Sequence, residues 1–150
     1  MTRIPVTVLG ATGVVGQRFV RRLKDHPQFE IQHLAASDRS TGKTYEDACA
    51  WRLDGLPHGG LGKRTLVAAD PKDAMAPVVF SALDSGSASQ IEPLFAAAGS
   101  LVFSNASAFR MSDDVPLLVP EVNADHLSLI EAQRKARGWK GGIVCNPNCT

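Results

Sequence analysis

Cys149 is the residue of this chain whose neighbours best equip it for covalent chemistry. It follows Gly141-Gly142-Ile143-Val144-Cys145, an apolar run that reads as a short buried strand, and then Asn146-Pro147-Asn148, which is turn chemistry. A thiol placed just after such a turn, where a helix would begin, lies among unpaired backbone N–H groups. Their partial positive charge favours thiolate over thiol. A lone cysteine behind a strand is more often inert core, so the Asn-Pro-Asn turn is what argues for a nucleophile. Cys145 and Cys149 are four apart with no second pair and no nearby histidine, so no metal site is expected. Cys49, in Ala48-Cys49-Ala50-Trp51, reads as a small buried hydrophobe. His26, just before Pro27, and His126, at the start of a helical segment, read as helix-end residues rather than bases.

A second chemical feature lies at the other end of the chain. Gly10-Ala11-Thr12-Gly13-Val14-Val15-Gly16 follows an apolar run at residues 6–9 and opens a helix. In that context Gly10 permits the tight turn, Gly13 lets backbone approach a pyrophosphate, and Gly16 lets helix pack closely on strand. The amides of Thr12, Gly13, Val14 and Val15 would face an anion at the helix N-terminus. The spacing is G-x-x-G-x-x-G, a variant of the dinucleotide fingerprint rather than its strict form. The nucleotide is read at the end of the second apolar run. Ser37, Arg39 and Ser40, with Lys43 close behind, suit a ribose 2′-phosphate and favour NADP, while Asp38 is the carboxylate that would accept NAD.

These features need elements to carry them, and short strands alternate with helical segments along the chain. Strands are expected at residues 6–9, 30–36, 65–68, 78–83, 101–104 and 143–145, with a further candidate at 115–119. Helices are expected at 17–25, 45–53, 90–98, where Pro93 would fall in the first turn, and 125–137, with a weak turn at 71–75 and a glycine-rich loop at 55–62. Runs of Val, Ile, Leu and Phe between helices imply a parallel sheet covered on both faces. The expected fold is therefore a Rossmann-like, doubly wound α/β domain.

With 150 residues, the chain is one ordinary domain with room for a real core. A net charge of +1 offers no field for nucleic acid or an anionic membrane, so neither is an expected partner. Three cysteines cannot build a disulfide framework, which fits a reducing, cytoplasmic setting. The start, Met1-Thr2-Arg3-Ile4-Pro5, runs straight into a strand with no leader-like apolar stretch.

Taken together, several segments resemble the aspartate-semialdehyde dehydrogenase family, in its archaeal and fungal branch. They are the glycine loop running on to Gln17-Arg18-Phe19, Ala36 to Lys43, Ser81-Ala82-Leu83-Asp84-Ser85-Gly86, Ser104 to Met111, Val115 to Asn123, and Asn146 to Thr150, in the family's order. The resemblance implies an NADP-linked enzyme that reductively dephosphorylates L-aspartyl 4-phosphate to L-aspartate 4-semialdehyde, a step toward lysine, threonine, methionine and isoleucine. By position Cys149 matches the nucleophile that forms a thioacyl enzyme, and Asn148 lies in its motif. Arg110 matches the arginine that holds phosphate, with Asn105 beside it. Thr12, Gly13, Val14 and Val15 match the pyrophosphate loop, Arg39 and Ser40 the 2′-phosphate contacts, and Ser85 and Gly86 the surroundings of the nicotinamide. Malonyl-CoA reductase, N-acetyl-glutamyl-phosphate reductase and a non-catalytic NADP-binding module are the alternatives.

The family's catalytic histidine, its substrate arginine and most of its dimer interface follow the nucleophile. The chain is therefore expected to be the cofactor-binding part of a homo-oligomeric enzyme, ending at the catalytic cysteine and lacking the substrate and dimerisation domain. Alone, it is expected to be marginally stable and inactive.

Overall fold

The computed structural model describes residues 2–148. Six strands form its frame: β1 (Ile4–Leu9), β2 (Phe29–Ala36), β3 (Val67–Ala68), β4 (Val78–Ser81), β5 (Leu101–Ser104) and β6 (Gly142–Cys145). All pair in parallel, in the order β3-β2-β1-β4-β5-β6. This is the doubly wound arrangement that the alternating pattern implies, with the winding reversing between β1 and β4. Val6, Val8 and Leu9 of β1 are wholly buried, as a central strand covered on both faces requires.

The helices are α1 (Val14–Leu23), α2 (Tyr45–Ala48), α3 (Pro71–Ala74), α4 (Ser85–Ala98), α5 (Pro120–Asn123) and α6 (Leu129–Arg137). One core packs Val20 and Leu23 of α1 with Val6, Val8, Ile31, Leu34, Tyr45 and Leu66. The other packs Phe95 and Ala96 of α4 with Val79, Val102, Ile143 and Cys145.

Four segments differ from the sequence expectation, the first three for reasons visible in their hydrogen bonds. The helix expected at 45–53 is a single turn, because beyond Ala48 the backbone bonds elsewhere. Ala50 O accepts from Gln17 Nε2 at 3.1 Å and Arg52 N donates to Gln17 Oε1 at 2.8 Å. α4 begins at Ser85 rather than Gln90, since Asp84 caps it, so Pro93 sits inside the helix rather than in its first turn. Ser89, whose carbonyl loses its partner to that proline, lies on the exposed side. Residues 115–119 are not a strand and make only an isolated bridge, Leu117 to Cys145. Pro116 has no N–H to give, and Asn123 takes up Val119 N and Leu117 O with its side chain. The helix expected at 125–137 is divided into a 3₁₀ segment, Ala124–Ser128, and α6.

The outer edge of β6 is nevertheless closed. Gln133, buried on α6, accepts from Ile143 N at 2.7 Å and donates to Ile143 O at 3.0 Å, standing in for a strand neighbour. Cys145 N donates to Pro116 O and Leu118 N donates to Cys145 O. Beside it, Arg137 lies against Phe109 and Trp139 and grips Asp114 with both ends of its guanidinium, at 2.5 and 2.6 Å. The bonds to Arg137 hold the Asp114 carboxyl below its usual range. That contribution is complete above the ordinary aspartate pKa and fades as pH falls through the folded value. Replacing Asp114 with Asn should cost about 1 kcal/mol at neutral pH. In urea melts taken across a pH series, the gap from the parent protein should narrow below about pH 4.

Candidate functional site

All six strands end on one rim, and a cleft of about 610 Å³ opens there at the switch point. Gly10, Thr12 and Gly13 line it from the first turn, Ser37 and Asp38 from the end of β2, and Asp84 from beyond β4. This is the crevice in which open α/β sheets bind ligands.

The glycine turn is shaped by contact rather than by propensity. Gly10 has φ +69°, and a Cβ there would sit 2.7 Å from Ala82 O. A Cβ on Gly16 would sit 2.1 Å from Gly10 O, so α1 can begin only with glycine at that position. Gly13 is the N-cap of α1; no side chain caps the helix and no acid occupies its first turn. The first-turn amides thus remain available to an anion at the positive end of the helix, beside the exposed side chains of Val14 and Val15.

Residues behind the turn hold its carbonyls away from the cleft, and sequence reading did not single them out. Tyr45 Oη donates to Ala11 O at 2.8 Å, and Gln17 Nε2 donates to Thr12 O at 3.0 Å. The Cys49 thiol reaches the same Thr12 oxygen at 3.6 Å. Burial raises the pKa of Tyr45, which keeps its hydroxyl a donor, and also raises that of Cys49. Gln17 carried a signal in the motif Gly16-Gln17-Arg18, whereas Tyr45 carried none, because its partner is 34 residues away.

At the end of β2, Ser37 and Asp38 line the cleft, and Ser37 O accepts from Ser40 N and Thr41 N to close a tight turn. Arg39 is exposed and Ser40 half-buried, beyond the cleft lining. Among the described residues neither Arg39 nor Lys43 is in an ion pair. Asp70 and Asp73, at and after the end of β3, add two more carboxylates to that end of the cleft.

On the other side of the switch point the turn after β4 lines the cleft, whereas Ser85, Gly86 and the turns after β5 and β6 lie beyond its lining, along the same rim. Asp84 caps α4, accepting from Ser87 N at 3.0 Å and Ser87 Oγ at 2.6 Å, bonds that hold its carboxyl below the usual range. The N-terminus of α4, where Ser85 and Gly86 lie, is therefore already occupied by a carboxylate, unlike that of α1. Ser107 Oγ donates to Ser85 Oγ at 3.2 Å, joining the turns after β4 and β5. Arg110 donates from Nε to Asn146 O at 3.1 Å and from Nη2 to Asn105 O at 3.0 Å. Asn146 Nδ2 in turn donates to Asn105 Oδ1 at 2.5 Å. Arg110 and Asn105 are thus brought together, with Asn146 as the link to the turn before Cys149, which itself lies outside the described residues. Cys145 is wholly buried and its thiol is pushed up to about 11, mainly by burial, so it is not a nucleophile at neutral pH. Among the described residues no group of three or more His, Cys, Asp or Glu is arranged to hold a metal ion, and no helix is long and apolar enough to cross a membrane.

A parallel sheet wound in this order, with a glycine turn at its switch point, defines a dinucleotide-binding α/β domain. Residues 5–130 match the family model described as the semialdehyde dehydrogenase NAD-binding domain, and the chain belongs to that family. It is 52% identical to an aspartate-semialdehyde dehydrogenase of Archaeoglobus fulgidus over 99% of its own length and 43% of the relative's. To the enzyme of that name from Trichophyton rubrum it is 45% identical, over 95% of this chain and 40% of the relative. It superimposes on the crystal structure of aspartate semialdehyde dehydrogenase with NADP from Candida albicans with a TM-score of 0.86 and 41% identity, covering 99% of this chain and 43% of the other. The chain thus spans about two-fifths of the length of the relatives it matches.

Two substitutions test the turn. Tyr45→Phe leaves Ala11 O without its donor and should weaken dinucleotide binding about tenfold in a calorimetric titration, equivalent to ~1.4 kcal/mol. Gly16→Ala should lower stability by about 1–3 kcal/mol or more in urea melts, because its methyl group meets backbone.

Proposed function

We propose that this chain is the NADP-binding, N-terminal part of an aspartate-semialdehyde dehydrogenase, ending at its catalytic cysteine, with a substrate and dimerisation domain completing the enzyme. One observation carries the reading: the glycine turn after β1 and the Arg110–Asn105–Asn146 cluster after β5 and β6 lie on the same rim of one parallel sheet. A dinucleotide laid across the switch point from the α1 N-terminus toward Ser85 and Gly86 approaches the turn that delivers Cys149.

In the reaction, the Cys149 thiolate attacks the acyl carbon of aspartyl phosphate and the C–O bond to phosphate breaks, leaving a thioester on sulfur. Arg110, fixed by two backbone carbonyls, would counter the charge of the departing phosphate beside Asn105. NADPH when bound supplies the hydride that turns the thioester into aldehyde and releases the thiolate. Gly10, Thr12, Gly13, Val14, Val15 and Gly16 would seat the pyrophosphate, and Ser37, Arg39 and Ser40 the 2′-phosphate. Asp38 faces the cleft and would accept a free ribose hydroxyl, which favours some use of NAD. A homo-oligomer and a cytoplasmic location belong to the same proposal. The relatives' names favour it over the malonyl-CoA, N-acetyl-glutamyl-phosphate and binding-module readings.

The test is the oxidation of aspartate semialdehyde by the natural full-length protein with NADP. Activity that requires inorganic phosphate is expected; activity that requires coenzyme A and ignores phosphate would overturn the reading. Arg39→Ala should weaken NADP binding by about tenfold or more while leaving NAD within about twofold, measured by calorimetric titration. Equal losses for the two nucleotides would place the 2′-phosphate elsewhere.

A further inference from the structure

A buried carboxylic acid lies beneath the rim, and the chemistry above makes no use of it. Glu92, on α4, is wholly buried. Ser104 Oγ, at the end of β5, donates to Glu92 Oε1 at 2.7 Å and accepts from Ala106 N at 3.1 Å. Ser81, at the end of β4, is also wholly buried and faces the same carboxyl, but neither its hydroxyl nor Glu92 Oε2 closes a full hydrogen bond. Three polar groups shut away from water, two of them incompletely paired, are costly in a core unless they hold something in place.

What they hold is visible in the backbone. Ser81 O accepts from Asn105 N at 3.1 Å, and Ser104 O accepts from Asn146 N at 2.9 Å. Asn105 and Asn146 are the two residues whose carbonyls Arg110 binds. The serines that face Glu92 with their side chains therefore seat, with their carbonyls, both anchors of the Arg110 guanidinium.

We propose that Glu92 is a positioning residue which ties the ends of β4 and β5 together through Ser81 and Ser104, and so fixes Arg110 for the anion it meets. This inference deepens the function proposed above and rests on it for the identity of that anion, phosphate. Burial raises the pKa of Glu92, against the lowering effect of its serine partners, which disfavours negative charge beneath an anion site.

Two variants in the natural full-length protein test this. Glu92→Met keeps an unbranched apolar filling but gives Ser104 no acceptor. Glu92→Gln keeps an acceptor for Ser104 and a donor for Ser81. Glu92→Met should raise the KM for inorganic phosphate about tenfold with NADP affinity within about twofold, and Glu92→Gln should recover most of the loss. Ser104→Ala should reproduce the effect, which keeps the test open should Glu92→Met fold poorly. Amide exchange should quicken in residues 105–110 and not in residues 10–16. An unchanged phosphate KM with unchanged exchange would overturn the proposal, as would an equal loss of NADP affinity. Faster exchange at 105–110 in a protein indifferent to phosphate would contradict the reaction instead and leave the positioning role standing.

Discussion

Parallel register is the constraint on which everything else here depends. It sets Leu9, Ser81, Ser104 and Cys145 in one row across four strands, as the last residue of each. The ladder then continues one residue further, because Ala82 N bonds to Leu9 O, Asn105 N to Ser81 O and Asn146 N to Ser104 O. Each turn on the rim is thereby seated on its neighbour strand before its own side chains act. A shift of one residue in any strand would turn these side chains to the opposite face and unseat the next turn.

On that rim the same element, a helix N-terminus, is used in two opposite ways. α1 begins at a glycine with no capping side chain, so its amides and its dipole are left for a ligand. α4 begins at Asp84, whose carboxylate already occupies that position. The free helix end at α1 thus favours an anion, whereas that of α4 is already satisfied by its own cap. The cysteines divide along similar lines. Cys49 and Cys145 are buried, with thiols pushed toward the protonated form, and serve packing, the first also touching the carbonyl of Thr12.

Much of this could be read from residue order alone, where local chemistry decides the structure. Apolar runs between turn residues give the strands, and Gly10, Gly13 and Gly16 mark the turn, Gly10 through its own positive φ and Gly16 through the Gly10 carbonyl six residues before it. Interactions across long sequence distances could not be read that way. Tyr45, Gln133 and Glu92 look like ordinary members of amphipathic helices, yet each turns a polar group inward to a backbone or hydroxyl partner on another element. The misread segments have nearer causes. The apolar run at 115–119 has the composition of a strand, but Pro116 and the side chain of Asn123 withdraw it from the ladder. The helix expected from residue 90 begins at Ser85 instead, because Asp84 with Ser87 three residues later is an N-cap arrangement.

The proposal at the centre, that the Cys149 thiol is reactive and is reached by a dinucleotide bound on the rim, can be tested directly by following iodoacetamide labelling at neutral pH, cysteine by cysteine, with and without NADP. Fast alkylation of Cys149 that NADP slows, with Cys49 and Cys145 labelled far more slowly, is the expected result. Labelling of Cys149 at the rate of the other two, or a rate that NADP leaves unchanged, would contradict it.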